Sequence, residues 1–191
     1  MKKEIIKHSL PILVIFLLTS VFWFFHHQPY YLYFHLFLGL SLGTFFIDID
    51  HFLYWFLLQP QLEESRLAKL LIKQKQYKKL FQLLEATHDS HQSLIFHHLT
   101  TQITLVLLAT FVLSSTNSPF AIAFLIATSI HLSIDQIHIL FRPNQSNKQQ
   151  LQQWLFARLP IQLPTKYLPH YVTTFLAINL IFIIFLFNFN L

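Results

Sequence analysis

Long apolar stretches separated by short polar segments dominate the chain. They cover residues 9–25, 30–50, 94–114, 119–140 and 171–190. A helix that crosses a bilayer needs about 20 mainly apolar residues, and each stretch is close to that length. The pattern predicts an all-α, polytopic helical membrane protein in which residues 1–191 form one integral membrane domain with about five transmembrane helices. Because no small-residue cleavage site follows the first stretch, we interpret it as a retained span rather than a signal peptide.

The second apolar stretch continues beyond its first charged residues. Apolar side chains resume after Asp48, Asp50 and His51 and extend to Leu58, which makes the stretch longer than one bilayer crossing requires. We therefore expect the helix to reach the membrane surface near Asp48. Its aromatic continuation is then expected in the interfacial belt, and consists of Phe52, Tyr54, Trp55 and Phe56.

Two connecting segments are amphipathic rather than apolar. Residues 61–86 place leucines and aromatic side chains at helical spacing among Lys and Arg, and residues 142–170 are rich in Gln with a short amphipathic stretch around Trp154. Both patterns are typical of helices that lie on a membrane surface.

The distribution of positive charge predicts the orientation. All 13 Lys and Arg precede the first span or lie within the two amphipathic segments, whereas the turns at 26–29 and 115–118 contain none. By the positive-inside rule, the N-terminus and both amphipathic segments are cytoplasmic, in a multi-pass protein of the cell inner (plasma) membrane. The net charge of +5 then indicates contact with anionic lipids of the bilayer, and nucleic acid is not expected as a partner.

The composition excludes several classes of protein and of functional site. Apolar residues make up 54% of the chain, which excludes disorder, and the absence of Cys excludes thiolate metal sites and cysteine nucleophiles. A membrane location does not by itself explain the 12 His. His8, His26, His27 and His170 flank spans, and we expect them at interfaces.

Seven of the other eight histidines, all except His35, gather with Asp residues at the predicted cytoplasmic ends of three spans. The three groups are Asp48, Asp50 and His51; His88, Asp89, His91, His97 and His98; and His131, Asp135 and His138. The third group lies on one helix face at positions i, i+4 and i+7. A carboxylate among apolar residues of a span is costly unless it is paired or binds a metal.

Carboxylate and imidazole ligands suit divalent ions such as Zn, Mn or Fe. We therefore expect a divalent-metal site at the cytoplasmic face whose candidate ligands are Asp48, Asp50, His51, His88, His131 and Asp135. The alternatives are a hydrogen-bonded His–Asp pair that only joins helices, and a solvated helix end near Asp48.

The 2 glycines of the chain support close packing near this site. Gly39 and Gly43 are one helical turn apart on the span that ends in the Asp pair, and a small-xxx-small face lets another helix approach closely. Convergence of ligands from different helices needs such an approach. The same face also offers a contact for a homodimer.

The order of these motifs resembles the membrane-bound metal-dependent hydrolase family of bacteria and archaea. The matching segments are FIDIDH at 46–51, HDSHQSLIFHH at 88–98 and HLSIDQ at 131–136, with His35, Gly39 and Gly43 upstream. The chain is also similar to uncharacterised small integral membrane proteins of uncultured bacteria. The Arg of the family's histidine motif is absent here.

The resemblance implies hydrolysis of a membrane-associated ester or phosphoester. His91 or His97 is then the expected catalytic acid, and His138 is expected to orient a metal ligand. Two other functions use the same His and Asp groups: an ion or proton transport protein, and a non-catalytic membrane adaptor with a structural metal.

Overall fold

The structure, a computed structural model, describes residues 2–91, 94–141, 146–157, 159–160 and 162–188, without the side chains of residues 2–4, 89, 146 and 147. The described regular structure is helical throughout. Its α-helices are α1 (Lys2–Phe25), α2 (Tyr30–Phe46), α3 (Ile49–Leu53), α4 (Glu63–Lys73), α5 (Tyr77–Thr87), α6 (Leu99–Ser115), α7 (Pro119–Leu140), α8 (Ser146–Phe156) and α9 (Leu168–Phe187). Arg142, Arg158 and the side chain of Asp89 lie outside the described part.

The predicted all-α polytopic fold is confirmed. Four helical segments are long and apolar enough to cross a membrane: Ile5–Phe25, Tyr30–Leu58, Pro119–Leu140 and Thr165–Phe187. The predicted span at 94–114 corresponds to the shorter α6, which has 17 residues and begins five residues later than expected. Large apolar side chains on the outer faces of these helices are exposed, as a lipid environment requires.

Helices α2 and α7 form the closest pair in the bundle, through the predicted glycine face. A Cβ added at Gly39 or Gly43 would lie 2.9 Å from the Cβ of Ala123 or Ala127, respectively, and closer still to a backbone carbonyl of α7. Only glycine therefore permits this approach. The face is occupied within the chain, so a homodimer through Gly39 and Gly43 would require the α2–α7 contact to open.

Helix α7 is the centre of the bundle, and its start follows from its sequence. The Ser118 hydroxyl accepts a hydrogen bond from the N–H of Ala121 at 3.3 Å, and Pro119 occupies the first helical position, where no N–H is needed. Helices α1, α2, α6, α8 and α9 all pack against α7. This central position explains why the polar residues of α7 are buried.

The continuation of the second span differs from the expected interfacial belt. Helix α2 ends at Phe46, and after a short break α3 leads into a π-helical turn at Tyr54–Leu58. Trp55 is fully buried, and Tyr54 is 7% exposed, because both pack against the loop that follows α5. These two side chains therefore face the protein interior rather than lipid, and their depth at the membrane interface stays a prediction.

The two amphipathic segments also fold differently from one another. Residues 61–86 form the hairpin of α4 and α5, with Lys75 at a positive φ of 56° in the turn and with Leu67, Leu70 and Phe81 exposed. In the second segment, α8 buries Leu151, Trp154 and Leu155 against the protein. The apolar face of α8 therefore packs on the bundle, not on a bilayer as expected.

Candidate metal centre

The candidate ligands form two groups at one end of the bundle. Each group contains three side chains whose donor atoms all lie within 4.8 Å of one another. One consists of His8, His131 and Asp135, and the other of Asp48, His51 and His88. We call them the α7 group and the α3 group.

The α7 group joins the first and seventh helices. His131 and Asp135 are one turn apart on α7, and the Nε2 atom of His131 lies 3.2 Å from Oδ2 of Asp135. His8 stacks on His131 with ring centroids 3.8 Å apart, and its Nε2 atom is 3.2 Å from Oδ1 of Asp135. All three side chains are buried.

A backbone contact fixes the tautomer of His131. Its Nδ1 atom donates a hydrogen bond to the carbonyl oxygen of Thr44, at the glycine-mediated contact between α2 and α7. Nδ1 therefore carries a proton, and Nε2 faces Oδ2 of Asp135. A ring nitrogen fixed in this way is typical of metal-binding histidines.

The α3 group lies beside it. His51 is fully buried, and its ring centroid is 4.2 Å from that of His88 at the end of α5. The side chain of Asp48 is 32% exposed, and its Oδ1 atom lies 3.6 Å from Nε2 of His131. Asp48 therefore borders both groups.

Whether these residues fit a metal ion can be judged from buried polar atoms that lack a hydrogen bond. Among the described residues, the Nε2 atoms of His51 and His131 and the Oδ2 atom of Asp135 are buried without a hydrogen bond of regular geometry. A buried polar atom without a hydrogen bond is costly, and metal ions bound to these groups would satisfy such atoms. The chain thus contains buried His and Asp side chains with the donors and spacing to hold a metal ion.

Asp50, predicted as a ligand, belongs to neither group. Its Oδ1 atom accepts a hydrogen bond from the N–H of Ile95 at 2.9 Å, and Oδ2 accepts one from the N–H of Phe96 at 2.6 Å. Residues 94–98 are held in a non-helical conformation by these bonds, which is why α6 begins only at Leu99. Asp50 organises the loop that carries His97.

His97 lies between two carboxylates. Its Nδ1 atom is 3.2 Å from Oδ2 of Asp50, and its Nε2 atom is 3.8 Å from Oδ2 of Asp135. Burial alone would lower the pKa of His97, but the two carboxylates raise it above its ordinary value. His97 therefore carries positive charge more readily than an exposed histidine. Its neighbour His98 contacts Thr100 instead.

His91 lies behind the α3 group. Its Nδ1 atom is 2.7 Å from Nδ1 of His51, its ring stacks on Tyr54, and its Nε2 atom is 3.5 Å from Oε1 of Glu64 on α4. Burial, with the charge of His88, lowers the pKa of His91 to about 4. A neutral His91 suits a role in orienting His51. The indole N–H of Trp154 on α8 donates to the carbonyl oxygen of His91 at 2.7 Å and so fixes its backbone.

A mainly apolar cavity opens beside both groups. It has a volume of about 550 Å³ and lies between α1, the α2–α3 junction and α5. His8 from the α7 group and Asp48 and His88 from the α3 group lie on its wall. The remaining wall is largely apolar and consists of Ile5, Phe45, Ile49, Phe52, Phe81, Leu84 and Glu85. His91 and His97 are not among the residues that line it.

The structure brings together most of the residues singled out from the sequence. Asp48, His51, His88, His131 and Asp135 converge, His91 and His97 contact them, and His138 is half-buried one turn beyond Asp135. His35 is exposed at the other end of α2.

Sequence reasoning missed two residues of α1. His8 was expected at an interface but is buried in the α7 group, and Lys7 Nζ lies 3.0 Å from Oδ1 of Asp135. Lys7 and His8 lie near the N-terminus, where basic residues commonly indicate membrane orientation. No local sequence pattern connects them to Asp135.

Comparison with known proteins adds no family assignment. No protein-family model, no curated protein and no solved structure matches this chain.

Proposed function

We propose that this chain is a membrane-bound metal-dependent hydrolase that acts on a membrane-associated ester or phosphoester. The observation that supports it best is the cavity, because residues from both donor groups lie on its otherwise apolar wall. A cavity of about 550 Å³ is in the range of small-molecule sites, about 300–1,000 Å³. An amphiphile would place its polar head near Asp48 and its apolar chain between α1 and α5.

The donor set supports a divalent ion such as Zn, Mn or Fe. When bound, such an ion polarises the ester or phosphoryl oxygen and lowers the pKa of a nearby water toward about 7. Asp48 is the partly exposed carboxylate at the cavity wall, so we assign it the task of holding the ion next to the substrate.

The residues around the donor groups have positioning roles in this proposal. His97 holds Asp135 from one side, and Lys7 contacts it from the other. Lys7 is not among the residues that line the cavity, so its ammonium group acts on Asp135 rather than on the substrate. His91 orients His51 rather than donating a proton, because its pKa is lowered to about 4.

The membrane location completes the proposal. In this proposal the N-terminus, the α4–α5 hairpin and the site lie at the cytoplasmic face of the inner membrane, the orientation that the basic segments favour. A substrate that diffuses in the bilayer would reach the cavity past the exposed apolar side chains of Ile5 and Phe81.

The test is an activity assay on the purified full-length protein in detergent. The substrates are a fluorogenic acyl ester and a phosphate monoester, each with a long alkyl chain, assayed with Zn²⁺, Mn²⁺ or a chelator. We expect metal-dependent turnover that falls by about 100-fold or more in Asp48→Asn, because loss of a metal ligand costs at least as much as loss of an outer-shell partner, which is about 10–100-fold. Glu63→Gln removes an exposed carboxylate outside the site and should retain full activity.

Two outcomes would overturn the hydrolase proposal. Metal that stabilises the protein without any turnover would support the adaptor, in which the ion only joins helices. Metal- or pH-gradient-driven flux in proteoliposomes, lost in His35→Ala, would support a transporter. The position of His35 counts against transport, because it is exposed on α2 and no His or Asp lies between it and Asp48 in the sequence.

A further inference from the structure

The two donor groups are separate in their residues but adjacent in space. Each offers three protein donors from at least two helical elements, and no residue belongs to both. Three protein ligands with open positions for water or substrate are the usual complement of a catalytic zinc ion. The geometry therefore offers two coordination sites where the sequence predicted one.

Each group contains buried donor atoms that lack a hydrogen bond. The α7 group has Nε2 of His131 and Oδ2 of Asp135, and the α3 group has Nε2 of His51. An ion bound only to the α7 group would leave the His51 nitrogen without a partner, and an ion bound only to the α3 group would leave Nε2 of His131 and Oδ2 of Asp135 with only their mutual contact at 3.2 Å. Each group thus has buried donor atoms that a cation of its own would satisfy.

Asp48 connects the groups. It is a member of the α3 group, yet its Oδ1 atom lies 3.6 Å from Nε2 of His131 in the α7 group. A carboxylate has two oxygens and can bind one ion with each. In two-metal hydrolytic sites the ions are about 3.5–4 Å apart, a separation that a bridging carboxylate spans.

The surrounding carboxylates offset part of the charge of two divalent ions. Asp48 and Asp135 are direct donors, and Asp50 lies behind them through His97. Lys7 contacts Oδ1 of Asp135, which leaves Oδ2 directed toward His131. The imidazoles of His8, His51, His88 and His131 bind as neutral ligands and add no charge.

We propose that the site is a dinuclear centre, with one divalent cation in the α7 group, one in the α3 group, and Asp48 as the bridging ligand. The proposal rests on the metal binding in the proposed function but not on hydrolysis. Two ions bridged in this way would bind opposite sides of a phosphoester or ester oxygen.

Metal counting tests the proposal. Purified full-length protein is loaded with Mn²⁺, passed through a desalting column and analysed for metal per chain. We expect two ions in the wild type, and one each in His131→Gln and in His51→Gln, because each variant loses one group. His35→Gln alters a histidine outside both groups and should retain two ions.

A spectroscopic measurement on the wild type makes the test independent of variant folding. Two Mn²⁺ ions that share a carboxylate are magnetically coupled, so the electron paramagnetic resonance spectrum should show the multiline signal of a coupled pair. Asp48→Ala should convert it to the signal of isolated ions or lose one of them.

The outcomes separate this proposal from the proposed function. One ion per chain in the wild type, with both histidine variants reduced to none, would overturn the dinuclear centre and leave a single-metal hydrolase. No bound metal at all would overturn both. Two coupled ions without turnover of any substrate would support the centre and contradict the hydrolase.

Discussion

Asp50→Ala is expected to destabilise the protein by about 3 kcal/mol or more, even when no metal is present. The fully buried carboxylate accepts hydrogen bonds from two backbone N–H groups and contacts His97. Alanine leaves these donors without an acceptor and His97 without its carboxylate. At about 2–4 °C per kcal/mol for a chain of this size, Tm in detergent with chelator should fall by roughly 6–12 °C.

Asp48→Ala is the matched control for that experiment. It removes a carboxylate two residues earlier, but one that is 32% exposed. In chelator it should lose much less stability than Asp50→Ala, while losing most of its affinity for metal. The account of Asp50 is wrong if Asp50→Ala unfolds at the wild-type temperature and instead loses metal, because Asp50 would then be a ligand.

Divalent metal is expected to raise the stability of the wild-type protein strongly. Binding to the native state alone contributes about 2.7 kcal/mol when the free ion is at 100 times its Kd, so Tm should rise by roughly 5–11 °C. The donors are mainly imidazole nitrogens, which favour Zn²⁺ over Mg²⁺. The measurement is thermal unfolding in detergent with chelator, Mg²⁺ or Zn²⁺.

Two variants decide whether the stabilisation comes from the site. The double variant His51→Gln, His131→Gln removes one imidazole from each group and should lose most of the response to Zn²⁺. His26→Gln, at an exposed histidine after α1, should keep the full response. Equal responses in the wild type and the double variant would show that zinc binds elsewhere.

Much of the fold could be predicted because the signals are local. Apolar stretches of about 20 residues identify helices regardless of their neighbours, and the i, i+4 spacing of His131 and Asp135 places both on one face of α7. Gly39 and Gly43 indicated a close helix contact, and α7 provides it. The convergence of Asp48, His51 and Asp135 follows from this contact, because it brings the C-terminal ends of α2 and α7 together.

The residues that sequence reasoning misplaced depend on contacts between distant parts of the chain. Helix α1 extends to Lys2, so His8 and Lys7 reach Asp135 across more than a hundred residues of sequence. The partners of Asp50 are backbone N–H groups, which every residue has and which no motif reveals. Trp154 was expected on a helix at the membrane surface. Instead, its indole N–H donates a hydrogen bond to the carbonyl oxygen of His91, in the loop after α5.

The most direct test of the central claim, that buried His and Asp side chains bind a divalent ion, is zinc K-edge X-ray absorption on the full-length protein. We predict nitrogen and oxygen ligands at about 2.0–2.1 Å with the outer-shell scattering of imidazole, reduced in the His51→Gln, His131→Gln variant. Loss of all zinc on gel filtration, or a shell of oxygen ligands without imidazole scattering, would contradict the account.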